Sequence, residues 1–219
     1  MSKAFEESCK SVAEGLSKAK VVPVLAVEDV DSGVRLCGIL RDAGLNCAEI
    51  TFRTSAAVGI ITEVSKLYPD MFLGAGTVLN SIDLNRAIDS GAKFAVAPGC
   101  NPKVVAAAVS AGFPFLPGIA NPSDIECALE LGCKLLKFFP AEALGGVKML
   151  KALIAPYKHL GVRFMPTGGV TMDNMKSYLE VKEIMAVGGT WLAKSDDLKA
   201  GRWDVISQIA MDTAARIKA

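Results

Sequence analysis

A single (β/α)8 barrel, the TIM-barrel architecture, is the fold this sequence predicts, and three observations predict it. Short apolar, β-branched runs alternate with amphipathic stretches along most of the chain, the pattern of a parallel sheet with helical crossovers. The runs start at intervals of twenty to thirty residues. Eight of them fit between residues 21 and 190, the number of strands that closes into a barrel. An open, doubly wound sheet is the competing arrangement, and its dinucleotide fingerprint is the test. "GAGTVL" supplies only G-x-G, sits in mid-chain and lacks both the third glycine and the downstream acid.

The chain begins with "MSKAFEESCKSVAEGLSKAK". This stretch is polar and helix-patterned and predicts an extra N-terminal helix over residues 1–19; it has no apolar segment of signal-peptide type. The strand candidates follow in order: "VVPVLAV" (21–27), "CAEITFR" (47–53), "FLGAGTV" (72–78), "FAVAPG" (94–99), "PFLPGI" (114–119), "LLKFFPA" (135–141), "RFMPTGG" (163–169) and "IMAVGGT" (184–190). Helical stretches such as "DSGVRLCGILRDAG" and "NPKVVAAAVSAG" lie between them. Several end in glycine, at Gly44, Gly91, Gly112 and Gly132, the residue favoured just past a helix C-terminus. No linker, low-complexity segment or charge block divides the chain, so one domain over residues 1–219 is expected.

Composition excludes several function classes. Lys plus Arg number 24 against 23 Asp plus Glu, a net charge of +1, which lacks the basic excess of a nucleic-acid surface. The apolar runs break well before 18 residues, so no membrane span is expected. The cysteines are Cys9, Cys37, Cys47, Cys100, Cys127 and Cys133, without a C-x-x-C pair. They read as reduced, mostly buried thiols of a cytoplasmic protein. One histidine, His159 in the loop-like "PYKHLG", supports neither a zinc site nor a Ser-His-Asp triad. No metal or cofactor is expected, and proton chemistry falls to carboxylates, lysine or tyrosine.

The chemistry concentrates at the ends of the strands, where barrel sites lie. Lys137 stands inside the apolar run "LLKFFPAEALGG". A lysine that snorkels to water is one explanation. A desolvated amine, which gives up its proton more readily and can act as a nucleophile, is the other. On the second strand, alternation puts Glu49, Thr51 and Arg53 on one face and Ala48, Ile50 and Phe52 on the other. The polar trio is either an internal Glu–Arg ion pair or the acid–base and anion-holding part of a site. If Lys137 points inward, it shares a cavity with Glu49 and Arg53. Two glycine pairs, in "PTGGV" (166–170) and "VGGTW" (187–191), close the seventh and eighth runs. Loops at those positions often bind phosphate through backbone N–H groups.

These residues resemble the 2-keto-3-deoxy-6-phosphogluconate (KDPG) aldolase / 4-hydroxy-2-oxoglutarate aldolase family. The resemblance spans about residues 20–205 and is carried by "VVPVLAV", "EITFRT", "GAGTVLN", "APG", "PGIAN", "KFFPAEALGGVKMLKAL", "PTGGV" and "VGGTWL". It implies a metal-independent class I pyruvate aldolase, acting on a small phosphorylated keto acid and assembled as a homotrimer. By position it implies Lys137 as the Schiff-base lysine and Glu49 as the acid–base carboxylate. Arg53, Thr77 and Pro98 then lie around the pyruvyl carboxylate and carbonyl, with Phe139 beside the lysine. Thr167, Gly168, Gly169, Gly188, Gly189 and Thr190 fall in the region that holds distal hydroxyls and phosphate. The family often has serine where this chain has Thr190. Thr167 resembles the phosphogluconate-type enzymes more than the galactonate-type ones. Cleavage of KDPG or of 4-hydroxy-2-oxoglutarate is the expectation; a 2-keto-3-deoxy-6-phosphogalactonate (KDPGal) aldolase, a phosphate-binding barrel isomerase or decarboxylase, and a silent sugar-phosphate-binding barrel are the alternatives.

Overall fold

The computed structural model describes residues 3–218. Met1 and Ser2 of the expected first helix, and Ala219 of the expected domain, lie outside the described residues. Within them the chain is α/β, with a curled, wholly parallel sheet. Helix α1 (Lys3–Ala19) precedes β1 (Val21–Leu25), α2 (Val30–Asp42), β2 (Cys47–Thr51), α3 (Ala57–Leu67), β3 (Phe72–Gly76), α4 (Ser81–Asp89) and β4 (Phe94–Val96). Then come α5 (Pro102–Ser110), β5 (Phe115–Leu116), β6 (Gly118–Ile119), α6 (Pro122–Glu130), β7 (Leu135–Phe138) and α7 (Gly146–Ile154). A 3-10 turn (Ala155–Leu160), β8 (Arg163–Pro166), α8 (Met175–Leu179), β9 (Val187–Gly189), α9 (Ser195–Lys199) and α10 (Trp203–Lys218) complete it.

Six strands form one sheet in the order β5-β4-β3-β2-β1-β9, and three form another in the order β6-β7-β8. The predicted fifth strand is therefore split. Pro117, which has no N–H to donate, separates a half that pairs with β4 from a half that pairs with β7. Isolated parallel bridges, Phe164 to Ile184 and Thr167 to Gly188, link the β8 segment to the β9 segment. A six-stranded curled sheet thus stands where eight continuous strands were expected.

Local chemistry explains the helix limits. Asp29 caps α2 by accepting from the Ser32 N–H at 2.8 Å, and Asn101 caps α5 by accepting from the Lys103 N–H at 3.1 Å, with Pro102 opening the helix. Such side chains satisfy donors that have no partner inside the helix. Gly44, Gly91, Gly112 and Gly132 all take positive φ, as the sequence led us to expect of residues just beyond helix ends. The 3-10 turn holds His159, exposed.

Two apolar clusters flank the sheet. The larger one packs helices on its outer face and includes Ala48, Ile50, Leu136, Phe138 and Phe164. The smaller lies on the inner face, where Val22, Cys47, Phe94, Val96, Leu116, Leu135 and Met165 meet Val12 and Leu16 of α1. Helix α1 therefore seals the end of the sheet where the strands begin. Alternation along the strands then settles direction. Cys47 and Leu135 point inward, so Glu49 and Lys137, two residues further on, point inward as well. Leu16 is wholly buried. Leu16→Ala should cost about 2–5 kcal/mol through lost contacts and a cavity, read as a lower urea midpoint with unchanged slope.

Candidate active site

Glu49 and Lys137 are 88 residues apart in sequence and meet across the inner face. The Lys137 Nζ lies 3.1 Å from Glu49 Oε1 and 3.4 Å from Oε2. Lys137 is 5 % exposed and Glu49 0 %, so the snorkelling explanation does not hold. The pair stands above an apolar floor formed by the inner cluster. Its neighbours fix the two chains from below and from the side. The Lys137 backbone N–H donates to the Pro117 carbonyl at 2.9 Å, and Glu49 lies in register between Val24 and Gly74. Phe139, half-buried just past β7, places its ring centroid 5.7 Å from the Lys137 Nζ.

Arg53 is not the partner of Glu49. Strand β2 stops at Thr51, and Arg53 lies in the turn beyond it. Strict alternation therefore ends before Arg53, and of the two readings of the polar trio the Glu–Arg ion pair is not formed; Glu49 pairs with Lys137 instead. Arg53 is exposed, and its Nε donates to Thr51 Oγ1 at 3.3 Å. Thr51 in turn donates to the Leu25 carbonyl at 2.9 Å. Among the described residues no carboxylate pairs with Arg53. Its one side-chain hydrogen bond among the described residues is the one to Thr51.

The other expected residues ring the same end. Thr77 follows β3 with φ 58°, a left-handed conformation that a β-branched residue adopts at a cost. Pro98 is exposed just past β4, and its carbonyl packs so closely on Gly118 that a Cβ there would sit 2.1 Å from it. Thr167 is 4 % exposed, and its Oγ1 has no hydrogen-bond partner. Gly168 and Gly169 form the turn after β8, both at positive φ. Gly188 and Gly189 are still strand residues of β9, buried rather than in a loop. Their small size matters: a Cβ on Gly188 would meet Thr167 Oγ1 at 2.3 Å, and one on Gly189 would meet the Trp191 ring at 1.7 Å. Thr190 is the first exposed residue after them.

Sequence reasoning missed one contributor. Gly76 lies beside the pair, and a Cβ there would be 2.3 Å from Glu49 Oε1. The signal was the glycine spacing in "GAGTV", whose second glycine faces the carboxylate. Cys100 lies just past Pro98 with its Sγ 3.9 Å from that of Cys127. Burial and the neighbouring Cys127 push the Cys100 thiol up to about 12, which leaves almost no thiolate for nucleophilic work. Among the described residues no group of three or more His, Cys, Asp or Glu is arranged to hold a metal ion, and no helix is long and apolar enough to cross a membrane.

A buried amine held against a carboxylate at one end of a parallel sheet can add to a ketone, form an imine and pass protons. That is the equipment of a Schiff-base enzyme. Comparison with known proteins narrows the class. The sequence profile "KDPG and KHG aldolase" matches residues 12–209. A 2-dehydro-3-deoxy-phosphogluconate aldolase of Haemophilus influenzae is 42% identical over 209 residues, covering 95% of this chain and 98% of the relative. The KHG/KDPG aldolase of Escherichia coli is 38% identical over 216 residues, 99% of both chains. A crystal structure of KDPG aldolase from Legionella pneumophila, with pyruvate captured as a covalent carbinolamine, superposes with a TM-score of 0.86 at 31% identity, covering 92% of this chain and 97% of that one. The chain belongs to the KDPG and KHG aldolase family.

The tight fit at Gly76 generates a test. Gly76→Ala leaves the lysine and the glutamate in place but forces the Glu49 carboxylate to move. Misplacing a reacting group by about 1 Å can cost on the order of 10²-fold in rate, so pyruvate-forming turnover should fall by roughly that factor. A variant with wild-type turnover would show that the carboxylate position is not critical.

Proposed function

We propose that this protein reversibly cleaves KDPG to pyruvate and glyceraldehyde 3-phosphate, and 4-hydroxy-2-oxoglutarate to pyruvate and glyoxylate. The observation that carries it is the buried Lys137–Glu49 pair, with Nζ and Oε1 3.1 Å apart. Family membership and the names of the relatives support the substrate class.

In this mechanism the Lys137 amine, its proton handed to Glu49, adds to the C2 ketone; Glu49 then returns that proton to the carbinolamine hydroxyl, which leaves as water to give an iminium and a free Glu49 carboxylate. Glu49, through a water, takes the C4-hydroxyl proton as the C3–C4 bond breaks. The bonding electrons enter the iminium and leave an enamine, and the aldehyde departs. A proton returned to C3 regenerates the iminium, and hydrolysis frees pyruvate and Lys137. Arg53 and Thr77 hold the carboxylate of the substrate, with Pro98 and Phe139 against its carbonyl end. Thr167, whose buried hydroxyl has no protein partner, meets a distal hydroxyl. Gly168, Gly169, Gly188, Gly189 and Thr190 form the phosphate region.

A closed (β/α)8 barrel in one domain over residues 1–219 goes with this assignment. It is supported by the two parallel bridges from the β8 segment to the β9 segment and by the shared run on either side of Pro117. The homotrimer that the resemblance implies is part of the same proposal, and sedimentation equilibrium checks it.

A coupled assay for pyruvate release from KDPG, KDPGal and 4-hydroxy-2-oxoglutarate tests the substrate. KDPG should have the highest kcat/KM; a preference for KDPGal would reassign it. Pyruvate plus borohydride should inactivate the enzyme by reducing the imine to a secondary amine, with one adduct in the peptide spanning "LLKFFPAEALGGVK". Lys137→Arg, which cannot supply the nucleophile, should abolish trapping and turnover. Trapping at another lysine would overturn the mechanism.

Glu49→Gln keeps the shape and removes the base. It should lower kcat on the order of 10²–10⁴-fold, with a smaller effect on the capture of pyruvate. A near-normal kcat would reduce Glu49 to an ion-pair partner.

A further inference from the structure

We propose that Asn174 is a positioning residue for phosphate, its side-chain amide holding the turn after β8 so that two backbone N–H groups face the anion. This rests on the phosphate assignment made above. The turn is pinned by its carbonyls. The Gly168 carbonyl accepts from the Glu142 N–H at 3.0 Å, and the Gly169 carbonyl accepts from Asn174 Nδ2 at 3.2 Å. In a trans peptide the carbonyl and the following N–H point in opposite directions. Holding the Gly168 carbonyl toward Glu142 therefore turns the Gly169 N–H away from it. Holding the Gly169 carbonyl toward Asn174 turns the Val170 N–H away in the same manner. Among the described residues neither N–H has an acceptor; Gly169 is exposed, but Val170 is buried, where a backbone donor nearly always has one.

Asn174 is suited to this task because both ends of its amide are engaged. Its Oδ1 accepts from the Thr171 N–H at 2.8 Å while Nδ2 reaches Gly169, and its own backbone N–H donates to Thr171 Oγ1 at 3.3 Å. A flipped amide would set an oxygen against the Gly169 carbonyl and an NH₂ against the Thr171 N–H, so one orientation is selected. The Glu142 side bears on the turn as well: a Cβ on Gly169 would meet Glu142 Cβ at 2.6 Å. Glu142 is itself tied to the buried Tyr178 of α8, whose hydroxyl donates to Glu142 Oε1. The turn is thus clamped from two sides, with its donors left over.

Asn174→Asp tests the role directly. It keeps the acceptor for Thr171 and replaces the donor to Gly169 by a second oxygen. The kcat/KM for KDPG should fall at least about tenfold, the scale of one hydrogen bond, and the inhibition constant for inorganic phosphate should rise by a similar factor. The loss for unphosphorylated 4-hydroxy-2-oxoglutarate should be several-fold smaller. Asn174→Ala should behave likewise and serves if the aspartate variant does not fold. Asp173→Asn, a change on the exposed neighbour, is the control and should match wild type. Equal losses for both substrates, or an unchanged phosphate constant, would overturn the role of Asn174. Wild-type protein that traps pyruvate but is not inhibited by phosphate would instead refute the phosphate assignment itself.

Discussion

The candidate site is organised around one interaction, the ion pair between Lys137 and Glu49. Two charges removed from water cost several kcal/mol each, and their attraction offsets this only with close geometry. The sheet supplies that geometry. Strands β2 and β7 are not neighbours in either sheet, so the two side chains meet only because the strands curl around a common interior. The apolar floor of Cys47, Leu135 and their neighbours keeps water from below, and Gly76 leaves room for the carboxylate. A buried pair of this kind is poor evidence for stability, since apolar replacements of similar volume are often neutral or better. Its presence is better explained by chemistry that needs an amine and a base in one dry place.

Much of this was legible in the sequence, and the exceptions have physical causes. Seven strand starts fall within a residue of the expected positions because most strand beginnings are apolar and buried. The strand ends were overestimated by two to three residues, as at Arg53, Val78 and Ala141. There the residues that carry polar groups leave the ladder: Thr77 takes positive φ, and Pro140 and Gly168 turn the chain. Alternation was therefore valid for Glu49 and invalid for Arg53. Lys137 could be singled out from its apolar setting and Glu49 placed in the same cavity, but whether Glu49 pairs with Arg53 or with Lys137 stayed open, because that choice depends on long-range closure. Gly188 and Gly189 lie in β9 rather than in a loop, and their lack of side chains admits Thr167 and Trp191, a packing relation that no local pattern reveals.

The two ends of the sheet divide their tasks. At the start of the strands α1 fills the interior with Val12 and Leu16, and the residues there are apolar. At the other end the chain accepts conformational cost: Thr77 holds φ 58°, and Thr167 keeps a buried hydroxyl unpaired, each unfavourable in isolation. Local costs of this kind persist only where surrounding packing over-determines them. The registers of β2 with β3 and of β7 with β8, buried on both faces, provide that support.

Charge at the open end follows the same logic. In the proposed complex an anionic substrate meets Arg53, which has no carboxylate partner among the described residues, while Glu142, beside the β8 turn, directs its carboxylate elsewhere. Its carboxylate turns toward Tyr178 and lies 3.2 Å from where a Cβ of Gly146 would be, at the first turn of α7. There the N–H groups of the helix start favour a negative charge. Burial, and then the hydrogen bond to Glu142, hold the Tyr178 hydroxyl above its usual range, so it stays a donor at neutral pH. The turn is supported by the Glu142 backbone N–H, which donates to the Gly168 carbonyl, while the carboxylate accepts from Tyr178. An acidic residue thus braces the turn proposed to take phosphate through its backbone, with its carboxylate directed at Tyr178.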